Sequence, residues 1–340
     1  MSSALKNVVC AISGGVDSCV AALILKNRGF QVQGVFMRNW DIADEKGFCQ
    51  ADHDKEDAEY VCRKLNIPFI EVNFVKEYWN NVFSYLLHEY KNGFTPNPDI
   101  LCNKKIKFDA FFKYALRHLK ADAIATGHYA RIATSGKDGQ SFKLLRGVDR
   151  EKDQTFFLSQ IPKVSLEKCM FHIGEMDVAL YRIYIFVTGF KLLRGIHCWT
   201  IGQRCALPGL PTPFYVAEKN VTNQDILVAP GRMHPALFHQ TLVTEPPYWI
   251  NNPPDTLSTN RTLRCEFRFQ HREPLVNCLL FQDQEQRLQV YLEKPLRALT
   301  PGQYAVFYDG EECLGSARIL FQGPSMYDLE AEQNKSFLVS

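Results

Sequence analysis

No apolar run in this 340-residue chain approaches the roughly eighteen residues a membrane-spanning helix needs. The longest candidate, Tyr181–Phe190, is too short, carries Arg182 and stops at Lys191, so a soluble protein with no membrane partner is expected. No Cys-x-x-Cys occurs, and the eleven cysteines are odd in number and scattered without paired spacing. That pattern excludes a secreted disulfide framework, gives a zinc knuckle no support, and points to a reducing compartment with one or more working thiols. An excess of one charge is missing as well. With 39 Lys and Arg against 37 Asp and Glu, the net charge is only +2, so a nucleic-acid partner would have to be met by a local patch. A secretory signal or Arg-rich transit peptide would have to fit into Met1–Lys6, because Asn7–Ile12 already reads as a buried strand; on the residues alone the expectation is cytoplasm.

What is present is ordinary globular composition, 46% hydrophobic and 22% charged, on a chain long enough for two or three domains. The first part alternates strand and helix. Strands are expected at Val8–Ile12, Gln31–Met37, Phe69–Asn73 and Ala123–Thr126, and helices at Cys19–Arg28, Asp54–Leu65 and Phe108–Leu119. Such alternation indicates an α/β, Rossmann-like parallel sheet with right-handed crossovers. From about Arg261 the runs become short and β-rich: Arg264–Phe269, Leu275–Phe281, Leu288–Leu292, Gln303–Tyr308 and Glu312–Ile319. Turns such as Thr300-Pro301-Gly302 separate them, which reads as a small antiparallel β-barrel. The expected domains are therefore 1–160, an atypical middle region 161–240, a barrel 241–325 and a polar tail 326–340, with Thr244–Pro254 read as a linker.

The most informative motif is Ser13-Gly14-Gly15-Val16-Asp17-Ser18, which follows the first strand directly and opens a helix. Successive backbone N–H groups in such a turn form a nest for phosphate, and the helix N-terminus adds its dipole. Gly14 and Gly15 allow close approach of the anion, the hydroxyls of Ser13 and Ser18 can donate, and Asp17 is placed to hold Mg²⁺ against the phosphates. The turn is neither a Walker A loop, since Gly-Lys-Ser/Thr is absent, nor a GxGxxG fingerprint. It is similar to the signature of the PP-loop ATP pyrophosphatases, which cleave ATP to AMP and pyrophosphate.

Further motifs narrow the resemblance. Gly34–Trp40 follows the second strand, Thr95–Asn103 contains Asn97-Pro98-Asp99 and Cys102, Ala125–Ala130 ends a later strand, and Lys152–Leu158 follows. Trp199–Arg204 adds a Gly-Gln-Arg element. Together these resemble the tRNA-specific 2-thiouridylase family, in particular its animal mitochondrial members. The resemblance implies ATP with Mg²⁺, a tRNA substrate and a persulfide sulfur donor such as a cysteine desulfurase or sulfur-relay protein. It also implies location in the mitochondrion and a taurinomethyl-bearing wobble uridine. Nucleotide contacts would come from Ala11, Ile12, Ser13, Gly14, Gly15, Val16, Asp17 and Ser18, with Met37 and Gly127. Asn97, Pro98 and Asp99 would meet the target base, and His128, Lys152, Asp153, Gln154, Arg268, Phe269 and Gln303 would touch tRNA. Cys102 would be the catalytic thiol, with Asp17 beside the phosphates. On the residues alone, Cys102 follows a proline-stiffened loop and precedes Lys104 and Lys105, whose charge is expected to lower its pKa. A buried structural thiol is the alternative reading.

The pattern breaks between Gln160 and Gly195. The family carries a second cysteine there, in a Cys-Phe-Ile-Gly segment that this chain lacks; it takes up persulfide sulfur and later closes a disulfide with the first. Cys169 is a candidate for a displaced equivalent. Alternatively, Val164–Lys168 is what Cys-Phe-Ile-Gly-Lys codons encode one nucleotide out of register. A chain without the second cysteine could bind ATP and tRNA yet fail to transfer sulfur. The remaining alternative is a PP-loop enzyme that amidates or ligates a small molecule.

Overall fold

The computed structural model describes residues 7–40, 50–135, 141–175, 199–205, 213–220 and 225–330. Tyr181–Phe190 and the tail from 331 onward lie outside them. The chain divides into two compact units. One is made of Met1–Tyr85, Pro98–Ile183 and Glu311–Leu314, the other of Leu86–Asn97, Tyr184–Gly310 and Gly315–Ser340.

The first unit is built on a five-stranded parallel sheet. Its strands are β1 (Asn7–Ala11), β2 (Gln31–Arg38), β3 (Phe69–Asn73), β4 (Ala123–Ala125) and, after the hairpin β5 (Ala130–Ser135) and β6 (Ser141–Arg146), β7 (Cys169–Met170). The order is β3-β2-β1-β4-β7, so the chain builds outward from β1 on one side and then crosses to the other. Val8, Val9 and Cys10 of the central strand are fully buried, as expected of a parallel strand covered on both faces. Helix α1 (Val16–Asn27) turns Ala21, Ala22 and Leu25 into the core, and α2 (Gln50–Lys64) contributes Ala58 and Cys62. Both helices begin earlier than the apolar spacing indicates. Their first turns are polar or exposed, so the hydrophobic period becomes visible only one turn in.

Strand β7 was not legible as a strand, and it overturns the out-of-register reading of Val164–Lys168. The Ser165 hydroxyl donates to the Phe108 carbonyl at 2.6 Å. Leu166, Phe171 and Ile173 are buried, and Cys169 and Met170 pair in parallel with Ile124 and Ala125. A wrong reading frame would not deliver apolar side chains to the core at the spacing that a connector and a strand require.

The second unit holds a three-stranded sheet, β8 (Arg204–Cys205), β9 (Phe214–Asn220) and β10 (Asp225–Pro230), and the antiparallel barrel. The barrel strands are β11 (Phe238–Thr244), β13 (Thr262–Arg268), β14 (Val276–Gln282), β15 (Leu288–Arg297), β16 (Tyr304–Asp309) and β17 (Glu312–Gln322). Their order is β11-β15-β14-β13-β16-β17, and β17 pairs back onto β11 through Leu242↔Gln322 and Val243↔Phe321, which closes the ring. Leu242, Phe267, Leu280, Val290, Phe307 and Ile319 fill the interior. The sequence lacks a clear signal for β11, whose Phe-His-Gln-Thr-Leu-Val-Thr is half polar. Thr244–Pro254 is not a plain linker: it carries β12 (Tyr248–Trp249), paired with Ser316 and Gly315, and buries Ile250. Among the described residues no helix is long and apolar enough to cross a membrane.

Candidate active site

In a sheet of this order, ligands bind beyond the carboxyl ends of the strands where the winding reverses, here between β1 and β4. The Ser13–Ser18 turn leaves the end of β1 at that point. Ile12 is still held to β2 by its N–H to the Val35 carbonyl at 2.8 Å. Ser13 N–H donates to Ser18 Oγ at 3.2 Å, and Ser18 Oγ donates to the Gly15 carbonyl at 2.8 Å, so the buried Ser18 ties the turn from inside. Ser13, Gly15, Val16 and Asp17 remain exposed. Gly14 has φ +79°, and a Cβ there would lie 2.5 Å from the Asp54 carbonyl oxygen, so only glycine fits beneath α2. Gly15 caps α1 without a side-chain hydrogen bond, which leaves the first amides of the helix facing outward for an anion.

The end of β4 closes over this turn. A Cβ on Gly127 would meet Ser18 N at 2.5 Å and the Asp17 carbonyl carbon at 2.7 Å. Tyr129 donates its hydroxyl to Asp17 Oδ1 at 2.7 Å, and burial together with that carboxylate pushes the phenol pKa up. Tyr129 lies within the Ala125–Ala130 motif, and only this tertiary contact gives it a place in the site. Lys152 is exposed, with its ammonium 5.9 Å from the Tyr129 ring centroid. Gln154 accepts from Tyr129 N–H at 3.0 Å and returns its own N–H to the Tyr129 carbonyl at 2.9 Å. Met37 lies at the carboxyl end of β2, next to β1 in the sheet, and is half-buried.

Cys102 ends the short helix Pro98–Cys102, and the chain continues as a nine-residue π-helix, Asn103–Phe111. That helix is anchored to the motif around β4. Asn103 Nδ2 donates to the Phe157 carbonyl at 2.9 Å, Lys104 Nζ donates to Gln160 Oε1 at 2.7 Å, and Phe108 packs against His128 with ring centroids 5.8 Å apart. The expectation that Lys104 and Lys105 activate the thiol does not hold. Burial raises the Cys102 pKa, Asp99 adds to the rise, and the opposing cation is Lys107. Lys104 is itself desolvated, which lowers its pKa, and is turned toward Gln160. Cys102 is a half-buried free thiol.

Several residues expected at an RNA surface are buried. His128 is locked by Thr126 Oγ1 at 2.7 Å and by Phe108 and Phe171, and burial holds its pKa well below the usual histidine value. Asp153 is completely buried and accepts from Gly147 N, Thr155 N and Thr155 Oγ1, with Arg146 at 3.5 Å. Arg268 donates to the His271 carbonyl at 3.0 Å and the Tyr308 hydroxyl at 2.9 Å inside the barrel, where Phe269 stacks on Phe267. All four are buried in this structure. Cys169 is a core thiol of β7 whose pKa burial drives far up, the opposite of what a displaced catalytic cysteine needs. The described cysteines are all free thiols, including the cross-strand pair Cys265 and Cys278 with sulfurs 3.6 Å apart, so no structural disulfide supports the fold among them.

Two family models match the chain: a tRNA methyl transferase HUP domain over residues 6–183 and an aminomethyltransferase beta-barrel domain over residues 239–319. The first runs through Val164–Gly174, in agreement with the packing of that segment. The chain is 44% identical to the mitochondrial tRNA-specific 2-thiouridylase 1 of Gallus gallus, over 98% of this chain and 96% of the relative. Identity to the Homo sapiens protein of that name is 43%, over 98% and 94%. Identity to the tRNA-specific 2-thiouridylase MnmA of Histophilus somni is 40%, over 92% and 93%. The chain belongs to the tRNA-specific 2-thiouridylase family. Within that family it is short. Alignment with the chicken relative runs over 410 positions against the 340 residues here, which leaves at least 70 positions unfilled.

Proposed function

We propose that this chain carries out ATP-dependent 2-thiolation of the wobble uridine of mitochondrial tRNA. ATP would lie beyond the carboxyl ends of β1 and β4. The amides from Gly14 to Asp17 would cradle its phosphates, and Ala11, Ile12, Met37 and Gly127 would meet the nucleoside. Asp17, steadied by Tyr129, would help hold Mg²⁺, which offsets phosphate charge when bound. The target base would be taken out of its stack and met by Asn97–Asp99. The C2 oxygen of uridine forms a bond to the α-phosphorus of ATP as the bond to the bridging oxygen breaks, and pyrophosphate leaves. A persulfide, R–S–SH, then attacks C2 and AMP departs with the original oxygen. The Cys102 thiolate attacks the inner sulfur, forming Cys102–S–S–R and leaving C2=S on the base. Because the Cys-Phe-Ile-Gly segment is missing, R is the donor protein's cysteine rather than a second cysteine of this chain.

The observation that carries this reading is the Gly127 backbone lying against Ser18 and Asp17, with the helix following Cys102 anchored to the same motif. The test uses purified chain, tRNA transcript, ATP and a protein persulfide, read by tRNA-dependent pyrophosphate release and by mass spectrometry of the base. Both signals are expected. Pyrophosphate release that ignores tRNA would overturn the reading in favour of a small-molecule ligase. A second reading is favoured by the missing cysteine and the burial of Cys169: a chain that binds ATP and tRNA without thiolating. It predicts binding with no C2 sulfur.

A further inference from the structure

We infer that Cys265 and Cys278, which face each other across two strands of the barrel, form a reversible dithiol–disulfide site that a peroxide oxidises. The inference goes beyond the thiolation reading and does not depend on it.

Register brings the two thiols together. β13 and β14 pair antiparallel from Thr262↔Phe281 to Phe267↔Val276, and Cys265 stands directly opposite Cys278 within that ladder. Side chains alternate along a strand, so Cys265 shares a face with the fully buried Phe267 and Cys278 shares one with the fully buried Leu280. Both sulfurs project from the same side of the sheet and lie 3.6 Å apart. Residues directly opposed in an antiparallel pair have Cα atoms about 4.5 or 5.5 Å apart. Either separation falls within the range of about 4.4–6.8 Å that disulfides span. Closing the sulfurs from 3.6 Å to a bonded distance of about 2.0 Å is within reach of side-chain rotation, with the ladder holding the backbone on either side.

The pair is also reachable. Cys278 is buried but Cys265 is half-buried, and a cleft of about 560 Å³ is lined by both residues together with Tyr291, Glu293 and Asp309. Cys10, Cys62, Cys169, Cys205 and Cys313 are all buried. In the first step the Cys265 sulfur attacks one oxygen of hydrogen peroxide. The O–O bond breaks, Cys265–S–OH forms, and the departing hydroxide takes the thiol proton and leaves as water. The Cys278 sulfur then attacks the Cys265 sulfur. The S–S bond forms as the S–O bond breaks, and a second water carries off the Cys278 proton. The dithiol loses two electrons and the peroxide gains them. A sulfenic acid with no neighbouring thiol goes on to the irreversible sulfinic state, and Cys278 stands where it intercepts that step. The Cys265 pKa is pushed far up, first by hydrogen bonding to Cys278, then by burial and the carboxylates of Asp309 and Glu266. Thiolate is therefore scarce and oxidation slow. A thiol of high pKa is also a poor leaving group, so the disulfide once formed resists monothiols and is reopened by a dithiol reductant.

The test exposes the full reduced chain to hydrogen peroxide, alkylates the remaining thiols and maps every cysteine by mass spectrometry. The expected product is a cross-linked Cys265–Cys278 peptide pair, formed about tenfold faster than oxidation of the buried Cys10 or Cys169 and lost after dithiol reductant. In Cys278→Ser the same treatment should carry Cys265 to sulfinic acid instead. Should that variant fold poorly, a phenylarsenical that bridges neighbouring thiols gives a second measurement on the wild-type chain, and joint protection of Cys265 and Cys278 from alkylation supports the inference. Peroxide that leaves both cysteines separately alkylated, that takes Cys265 to sulfinic acid in the wild-type chain, or that joins either one to a third cysteine overturns it. So does an arsenical that protects one of the two or neither. ATP and tRNA do not enter these readouts, so failure here leaves the functional reading standing.

Discussion

Gly127→Ala tests the geometry of the nucleotide site most directly. The added methyl carbon would fall 2.5 Å from Ser18 N, 2.7 Å from the Asp17 carbonyl carbon and 2.8 Å from Ser18 Cα, all of them backbone atoms that cannot rotate away. Such overpacking costs about 1–3 kcal/mol. The strain can appear as lost stability, or the first turn of α1 can yield and carry the phosphate-binding amides out of place. Since each 1.4 kcal/mol is tenfold, the second route weakens ATP binding by about five- to 150-fold. Titration calorimetry with ATP and thermal melting separate the two routes. Gly29→Ala is the control. It also adds a methyl at positive φ, but nothing lies within 4 Å of it, so it should lower the melting temperature and leave ATP affinity unchanged. Should Gly127→Ala keep both wild-type stability and wild-type ATP affinity, the β4 end does not close over the turn and the site is misassigned.

Other expectations follow from the same geometry. Tyr129→Phe removes the 2.7 Å bond to Asp17 and should raise the Mg²⁺ concentration needed for half-maximal pyrophosphate release several-fold; an unchanged requirement would separate Asp17 from the metal. Because burial raises the Cys102 pKa, its alkylation rate should climb through and above the ordinary thiol range as pH rises, and Lys107→Met should move the profile further up. Mass-spectrometric mapping of modified Cys102 measures this, and an inflection below neutrality would show the thiol to be activated instead. Cys169→Ser places a hydroxyl in the core of β7 and should cost about 1–3 kcal/mol of stability with turnover per folded molecule unchanged. Loss of sulfur transfer at an unchanged melting temperature would make Cys169 the second working thiol after all.

Parts of this molecule were legible without coordinates because they rest on local rules. The buried run Val8–Ile12, the glycine pair and the capped helix start mark a phosphate-binding turn wherever they occur in that order. Five of the six strands that close the barrel show in their β-branched and aromatic runs. β11 does not, because its pairing with β15 and β17, rather than its half-polar composition, makes it a strand. β7 is only two residues long and exists through its register with Ile124 and Ala125. Side-chain roles proved hardest to read, since burial is a property of the neighbours. Nothing in the sequence around His128, Asp153 or Arg268 separates a polar group facing RNA from one satisfied inside the core. Lys104 and Lys105 adjoin Cys102 in the chain, yet the direction of the helix makes Lys107 the charge that opposes burial at the thiol. The family and the turn that would hold ATP were written in the order of residues; which thiols, amides and charges are accessible was decided by packing, because desolvation and hydrogen-bond partners come from distant parts of the chain.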